Sequence, residues 1–489
     1  MKVNRRECLK YLAGAAGAAT ACSGSGARLP NIVLIYADDL GYGDLSSYGA
    51  EDCRTPNIDS IGAQGITFTD FHSNGAVCTP SRAALLTGRY QQRSGSDHGF
   101  KMGLEDIMGM NVDERLIPEY LKPLGYRSGI IGKWHLGRGK GKDWQWMPTR
   151  RGFDYFYGHP TGTMEYWTHR IRHGQIAEQG SYKYIDFEVP YRDGYHTLFR
   201  NLEEVHEEGY STDLFGNEAV QFIEDNAADP FFLYVPFNAP HSPLNLPDRP
   251  DEGGKIWMQQ NVWDYDECRR RFTAMIESMD DQVGRILQTL DRLGLTDDTL
   301  VIFTSDNGGP EHGGKIWGRN LPHRGAKVSF YEGGHREPFV ARWPGKIPAG
   351  SRYDGLSIGM DLLPTFLSIT GAAMPEDRTI DGVDLSPYLF GENSKAAHDW
   401  LCWGIDYPPW IRRAVRNGQW KLIMRRPVRS KPENTAVELY NLAEDIGEQQ
   451  NLAGSHPEQL KTAFEILQRW EKDVGIEHIV ADLSAPRVL

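Results

Sequence analysis

The run NIVLIYADDL, residues 31–40, constrains the fold more than any other stretch: six consecutive apolar side chains are closed by two aspartates. Such a run is too short to cross a bilayer, and its unbroken character marks a strand buried on both faces. Three further runs share this form, RSGIIGKWH at 127–135, FFLYVPFNAPH at 231–241 and VIFTSDNGG at 301–309, each apolar and then abruptly polar or ionisable. Strands covered on both faces need helices on both sides. TPNIDSIGAQG reads as a helix leading into ITFTDF, and VDERLIPEYLKPLGY as a helix interrupted by Pro123. Between the last two strands, Phe272, Met275, Ile276, Met279, Val283, Ile286, Leu287 and Leu290 recur at helical spacing, which predicts a long amphipathic crossover. The expected fold class is α/β, with a doubly wound, mostly parallel sheet.

The character changes near GVDLSPYLFGENSKAAHDW, residues 382–400. Beyond it, AVRNGQWKLIMRR carries an Asn-Gly hairpin signal, AVELYNLAED adds a strand, and HPEQLKTAFEILQRWEKDVG reads as a final amphipathic helix. We expect a small C-terminal antiparallel α+β subdomain over 386–489, after a large domain at 30–385. Residues 1–29 read as an export signal and linker: Arg5-Arg6, a short Ala/Gly run, and a small-residue site ending at Cys22. The paired arginines resemble the twin-arginine class, and Ala-Thr-Ala-Cys resembles a lipoprotein cleavage box, with Ala19 where leucine is usual. The expected location is therefore exported, periplasmic or cell-surface, by twin-arginine or general export machinery, with lipidation at Cys22 left open. A net charge of −13 argues against a nucleic-acid partner. The six cysteines show no CxxC spacing, so neither a zinc ribbon nor a dense disulfide framework is indicated, and one disulfide among Cys53, Cys268 and Cys402 is left open.

In an open α/β sheet the ligand site lies beyond the carboxyl ends of the strands. There the chain delivers Asp38 and Asp39, Lys133 and His135, His241, and Asp306 with Asn307. Three acids and an amide are hard oxygen donors, suited to calcium or magnesium rather than zinc. AVCTPSRAALLTGRY, residues 76–90, reads as a helix start with Thr79 as cap and Pro80 at the first position. Cys78 would then sit at a helix N-terminus, where the dipole favours an anion within reach of Arg82. As a plain thiolate it would match a hard cation poorly.

CTPSR followed by LLTGR resembles the signature of the type I sulfatases, whose cysteine is oxidised to formylglycine (3-oxoalanine). ADDLGYGDLSSYG, TPNID, GKWHLG, NAPHSP, SDNGG and RGAKVSFYEGG follow the order of that family. The resemblance implies an alkaline-phosphatase-like fold and a calcium ion bound by Asp38, Asp39, Asp306, Asn307 and an oxygen of modified residue 78. It implies Arg82 at the formylglycine hydrate with Lys133 and His135 beside it, and His241 and Lys327 at the sulfate and leaving oxygen. One hydroxyl of the hydrate attacks sulfur; the other, deprotonated most naturally by His135, expels sulfate. A formylglycine-generating or maturase enzyme is an implied partner. His335 in EGGHREPFV stands where the family more often has an aliphatic residue.

The expected substrate is a sulfated saccharide or an aryl sulfate. Aromatic and histidine residues at 142–210, among them Trp144, Trp146, Tyr155, Tyr157, His159, Tyr166, Trp167, His169 and His173, are available either to stack on sugars or to pack a long loop. His169, Arg170 and Arg172 are candidates for a second sulfate or a uronate, and His312 and His323 read as surface-loop residues. Two rivals stand beside the sulfatase: a phosphoester hydrolase of the same superfamily, and a non-catalytic glycan-binding protein in which Cys78 stays a thiol.

Overall fold

The first apolar run forms strand β1, Asn31–Ala37, with every residue buried. A computed structural model describes residues 28–97, 109–137, 141–169, 175–178, 181–184, 198–252, 264–312, 315–407, 409–481 and 483. After β1 come helix α1 (Pro56–Ala63), β2 (Ile66–His72), α2 (Cys78–Thr87), α3 (Ile117–Leu121) and β3 (Arg127–Lys133). The chain continues through β4 (Tyr155–His159), α4 (Ser211–Asp225), β5 (Phe231–Pro236), α5 (Tyr265–Arg292), β6 (Thr299–Ser305), β7 (Arg336–Arg342), β8 (Ser351–Tyr353) and α6 (Leu362–Thr370). The large sheet runs β8-β2-β7-β6-β1-β5-β3-β4, and short strands at Phe199–Arg200 and Glu203–Glu204 extend it. The pairs β6-β1, β1-β5, β5-β3 and β3-β4 are parallel, whereas β7 runs antiparallel to both β6 and β2.

Two apolar layers cover this sheet. α1, α4 and α5 pack against the faces of Val33, Ile35, Leu233 and Val301. α2, α3 and α6 cover Ile32, Leu34, Phe232 and Ile302. The crossover α5 is as long as its periodicity implies, with all eight spaced apolar residues buried. The interruption at Pro123 is also real: α3 stops at Leu121 and passes into a single tight turn, Lys122–Leu124.

The C-terminal part is a four-stranded antiparallel sheet, β9 (Trp400–Tyr407), β10 (Trp410–Asn417), β11 (Trp420–Pro427) and β12 (Ala436–Asn441), with α7 (Pro457–Val474) on one face. Its central hairpin turns one residue later than the Asn-Gly pair implies. Asn417 already pairs with Trp420, so Gly418 and Gln419 make the two-residue loop, with Gly418 at φ 55°. Cys53, Cys78, Cys268 and Cys402 are buried thiols, and no disulfide joins them. Residues 1–27 of the export segment, with Cys8 and Cys22, lie outside the described residues.

Candidate active site

β1 and β6 pair in register up to Ala37 and Ser305, which brings the two acidic sequels side by side. The Asp39 backbone N–H donates to Asp306 Oδ1 at 3.1 Å, and Asn307 Nδ2 donates to Asp39 Oδ1 at 2.8 Å. Asp38, Asp39, Asp306 and Asn307 are all buried. Asp39 has φ 66° and His135 φ 55°, a left-handed backbone that turns both side chains sharply out of their strands.

α2 begins at Cys78, with Val77 as its cap residue. Thr79 therefore lies inside the first turn rather than capping it, and its hydroxyl donates to the His135 carbonyl at 3.3 Å. Cys78 Sγ lies 3.6 Å from Asp38 Oδ1 and 3.7 Å from Lys327 Nζ. Arg82, one helical turn further on, donates Nε and Nη2 to Asp306 Oδ2 at 3.1 and 2.7 Å and Nη1 to the Lys133 carbonyl at 3.2 Å. Lys133 Nζ donates to Asp38 Oδ2 at 2.6 Å; Lys327 Nζ lies 2.6 and 2.8 Å from the two Asp39 oxygens. All six residues expected from the motifs, Cys78, Arg82, Lys133, His135, His241 and Lys327, thus gather around the four acid and amide side chains.

Burial and charge set the protonation states. Burial, helped by Asp306 and opposed by Lys133, pushes Asp38 up to about 7. Asp39 stays well below the usual carboxylate range because Lys327 and His241 outweigh its burial. Arg82 and Lys133 do the same for Asp306. Burial pushes the Cys78 thiol up to about 12 despite Lys133 and Lys327, so at neutral pH it is no thiolate. Burial pulls His241 down to about 3 against Asp39, and it pulls His135 well down with help from Lys133 and Arg82. His241 Nδ1 donates to the Ser242 carbonyl at 2.6 Å, which leaves Nε2 facing Asp39 Oδ2 at 3.6 Å.

Asn307 Oδ1 is buried without a hydrogen-bond partner, an acceptor oxygen among three carboxylates. Ligand atoms of Asp38, Asp39, Cys78 and His241 lie within 4.8 Å of one another. The oxygen donors of Asp38, Asp39, Asp306 and Asn307 fit a hard divalent cation, which the Cys78 sulfur does not.

Several expectations change. Tyr157, His159 and Tyr166 are buried, so packing rather than sugar stacking explains them. Tyr166 Oη donates toward the Asn238 and His241 carbonyls, which fixes the loop that carries His241. His169 is also buried and bonds the Gly209 carbonyl; Arg170, Arg172 and His173 lie outside the described residues. His323 is only 5% exposed, packed edge-on against Tyr42, and so is no surface-loop residue; the His312 side chain is outside the described set. Gly162, which no motif marks, leaves room for the His135 ring: a Cβ there would lie 2.7 Å from its Nε2. Val328 holds φ 76° beside Lys327, and its N–H donates to the Ala76 carbonyl at 2.8 Å. No hydropathy pattern marks such positions.

His335 belongs to a second polar cluster, between β2, β7 and the C-terminal sheet. Lys421 Nζ reaches Glu332 Oε1 at 2.7 Å, His335 Nε2 at 2.9 Å and Glu448 Oε1 at 3.3 Å. With Nε2 accepting from Lys421, His335 Nδ1–H donates to His72 Nδ1 at 3.0 Å, and His72 Nε2–H donates to Asp70 at 2.9 Å. An aliphatic residue at 335 would break this chain.

A family profile described as Sulfatase matches residues 30–372, and one described as N-sulphoglucosamine sulphohydrolase, C-terminal, matches residues 326–472. The N-acetylgalactosamine-6-sulfatase of Canis lupus familiaris is 38% identical over 376 residues, 74% of this chain and 66% of that protein, so the match spans just under two thirds of that relative. Human arylsulfatase A is 35% identical over 468 residues, 89% of this chain and 86% of its own length. The crystal structure of Ps i-CgsB in complex with k-i-k-neocarrahexaose superposes with TM-score 0.77 at 30% identity, covering 94% of this chain and 96% of that one. Motif order, fold and site geometry together place this chain in the sulfatase family of sulfuric ester hydrolases.

Proposed function

We propose that this chain is an exported, calcium-dependent sulfatase that hydrolyses sulfate monoesters on a sulfated carbohydrate, and aryl sulfates besides, through a formylglycine made from Cys78. The observation that carries the reading is the seat of Cys78, a neutral buried thiol at the start of α2 between the Asp38 carboxylate and the Lys327 ammonium. The relatives named for N-acetylgalactosamine-6-sulfate and a fold neighbour bound to a carrahexaose support a carbohydrate substrate.

Asp38, Asp39, Asp306 and Asn307 would hold the calcium with an oxygen of residue 78, and the ion would supply Lewis-acid stabilisation of charge on sulfate oxygens. As formylglycine hydrate, residue 78 would supply one hydroxyl to attack sulfur and a second whose deprotonation expels sulfate and restores the aldehyde. Lys133, which is buried, and Lys327, which is partly buried, would provide ammonium donors for the sulfate oxygens in a setting where such contacts are strong. Arg82 fixes Asp306 and the Lys133 carbonyl and so orients both neighbours. His241 presents Nε2 and must gain a proton there before it can protonate a leaving oxygen. His135, neutral and with Nδ1 unpartnered, suits the base that removes the second hydroxyl proton.

The test uses protein matured in a host that carries a formylglycine-generating enzyme. Peptide mass at residue 78 and labelling by an aldehyde-reactive probe report the modification; 4-nitrophenyl sulfate and phosphate report the reaction. Aldehyde at 78 with dominant sulfate turnover is expected. Dominant phosphate turnover, or saccharide binding with an unmodified thiol and no turnover, overturns the proposal in favour of one of the two rivals.

A further inference from the structure

β3 and β4 end together. Their parallel pairing carries through to Lys133 and His159, so these two residues are direct partners on strands about 4.8 Å apart. In-register neighbours of adjacent strands present their side chains to the same face. On that face the His159 ring is fully buried and stacks on Phe215 at 6.4 Å between centres, and Tyr157, two residues earlier, meets the same phenyl ring edge-on.

Packing accounts for the ring but not for its second nitrogen. The Thr161 hydroxyl donates to the Thr163 carbonyl at 2.9 Å, so toward His159 Nδ1, 3.2 Å away, the same oxygen accepts. Nδ1 therefore carries the proton, and Nε2 presents a bare lone pair. Burial, and after it the charges of Lys133, Arg82 and His241, pull the proton affinity of the ring well down, so it stays neutral. Nε2 is buried without a hydrogen-bond partner. Buried acceptors are nearly always satisfied, so an orphaned one next to Lys133 calls for a donor that arrives during function.

The three cationic or ionisable neighbours differ in what they have to give. Arg82 is held on Asp306 and on the Lys133 carbonyl, and His241 has its Nδ1–H on Ser242. The Lys133 ammonium has three N–H groups on a flexible stem, and among the described residues it bonds only Asp38 Oδ2, at 2.6 Å. Lys133 and His159 are both fully buried, so neither turns to bulk water instead.

We propose that His159 is a positioning residue for Lys133. Its Nε2 accepts from the Lys133 ammonium as that group turns from Asp38 toward a sulfate oxygen, and so keeps it aimed at the ester held at residue 78. This rests on the sulfatase reading above and adds to it a residue that lies outside the family motifs.

The test replaces His159 by Gln, Asn and Phe in matured protein. A glutamine amide reaches the place of Nε2, an asparagine amide the place of Nδ1, and phenylalanine supplies neither while keeping the stack on Phe215. On 4-nitrophenyl sulfate, kcat/KM should fall at least tenfold for His159→Phe and His159→Asn and stay within threefold of wild type for His159→Gln. Sulfate itself reads the contact without turnover: the same replacements in Cys78→Ala protein, titrated calorimetrically with sodium sulfate, should weaken Kd in the same order. A residue that merely held the Thr161 turn would be rescued by asparagine instead. A glutamine variant no better than asparagine, or a phenylalanine variant within twofold of its parent on either readout, overturns the assignment. Should His159→Phe lose its far-ultraviolet circular dichroism, the order of glutamine and asparagine decides alone. Absence of aryl sulfate turnover in matured wild type would instead overturn the sulfatase reading, while the order of the sulfate affinities still judges His159.

Discussion

Replacing Lys421 with methionine tests how the C-terminal sheet is held to the loop that carries Lys327. The side chain is fully buried, and Met keeps most of its volume. Glu332 keeps Arg416 at 2.8 Å and Arg336 at 3.1 Å, so it stays paired. Glu448 does not: its Oε1 faces Lys421 at 3.3 Å and has no hydrogen bond, while Oε2 keeps only the Glu332 backbone N–H. Leaving one buried charge uncompensated costs ~3–5 kcal/mol. Unfolding entropy of ~2 cal/mol/K per residue gives about 1 kcal/mol/K for the whole chain, so Tm should fall by ~3–5 °C. The sign of the pH effect follows from Glu448. Burial pushes its carboxyl up to about 7 even with Lys421 beside it, above its unfolded value, so its contribution is most favourable at low pH and declines as pH rises through 7. Removing Lys421 raises it further and frees His335, which that ammonium helps keep neutral, to take a proton. The deficit, measured by differential scanning calorimetry, should therefore be full at pH 8.5 and smaller at pH 5.5. Lys421→Met/Glu448→Gln should recover most of it, since both charges are then gone. A deficit that does not change between those pH values, or a double variant no better than the single, would refute this account.

Cys78→Ala and Lys327→Ala should each abolish sulfate ester turnover with far-ultraviolet circular dichroism unchanged; near-normal kinetics in either would remove its assigned role. Val328→Gly frees a strained backbone worth ~1–2 kcal/mol, partly offset by glycine's ~0.5–1 kcal/mol entropy cost, so Tm should hold or rise while kcat on 4-nitrophenyl sulfate falls because Lys327 is less confined. Chelation of calcium present at about 100 times its Kd should lower stability by ~2.7 kcal/mol, read as a drop in Tm, and Asp306→Asn should shrink that drop. His398 is partly buried, which lowers its affinity for a proton, but Asp361 at 2.8 and 3.0 Å outweighs this and raises it. Its stabilisation is present below about pH 6.5 and is lost as pH rises through the elevated folded value, so His398→Gln should flatten Tm against pH between 6 and 8.

The parts legible in sequence share one property: they are local. The buried run of β1, the eight-residue stripe of α5 and the CTPSR start of α2 each announce themselves in a single window. Residues at the ends of those elements reach the site because parallel strands deliver their carboxyl ends to one edge. α4 stayed hidden although Phe215, Ala219, Phe222 and Ile223 are buried at helical spacing, because it follows a long irregular aromatic segment. Thr79 was misread because local capping rules do not know that the His135 carbonyl competes for its hydroxyl. His335 was opaque for the same kind of reason. Its partners His72 and Lys421 are distant in sequence, and no pattern in one strand foretells a hydrogen-bond chain through three.

The charges at the site make one further point about how it works. Asp38, Asp39 and Asp306 are matched by Lys133, Lys327 and Arg82, so these six side chains together are already close to neutral. Lys133 and Lys327 rest on carboxylate oxygens that the proposed cation would also need. Each lysine can therefore turn to a sulfate oxygen at little electrostatic cost only when those carboxylates have another positive partner. Burial and the Asp306 charge push Asp38 up to about 7, and Lys133 and Arg82 offset them only in part. Arg82 differs, since it holds Asp306 through two N–H groups and the Lys133 carbonyl through a third, and it need not move. Two ammonium groups on one guanidinium frame would link cation and sulfate binding: by whatever factor a bound cation strengthens sulfate binding, bound sulfate must strengthen cation binding.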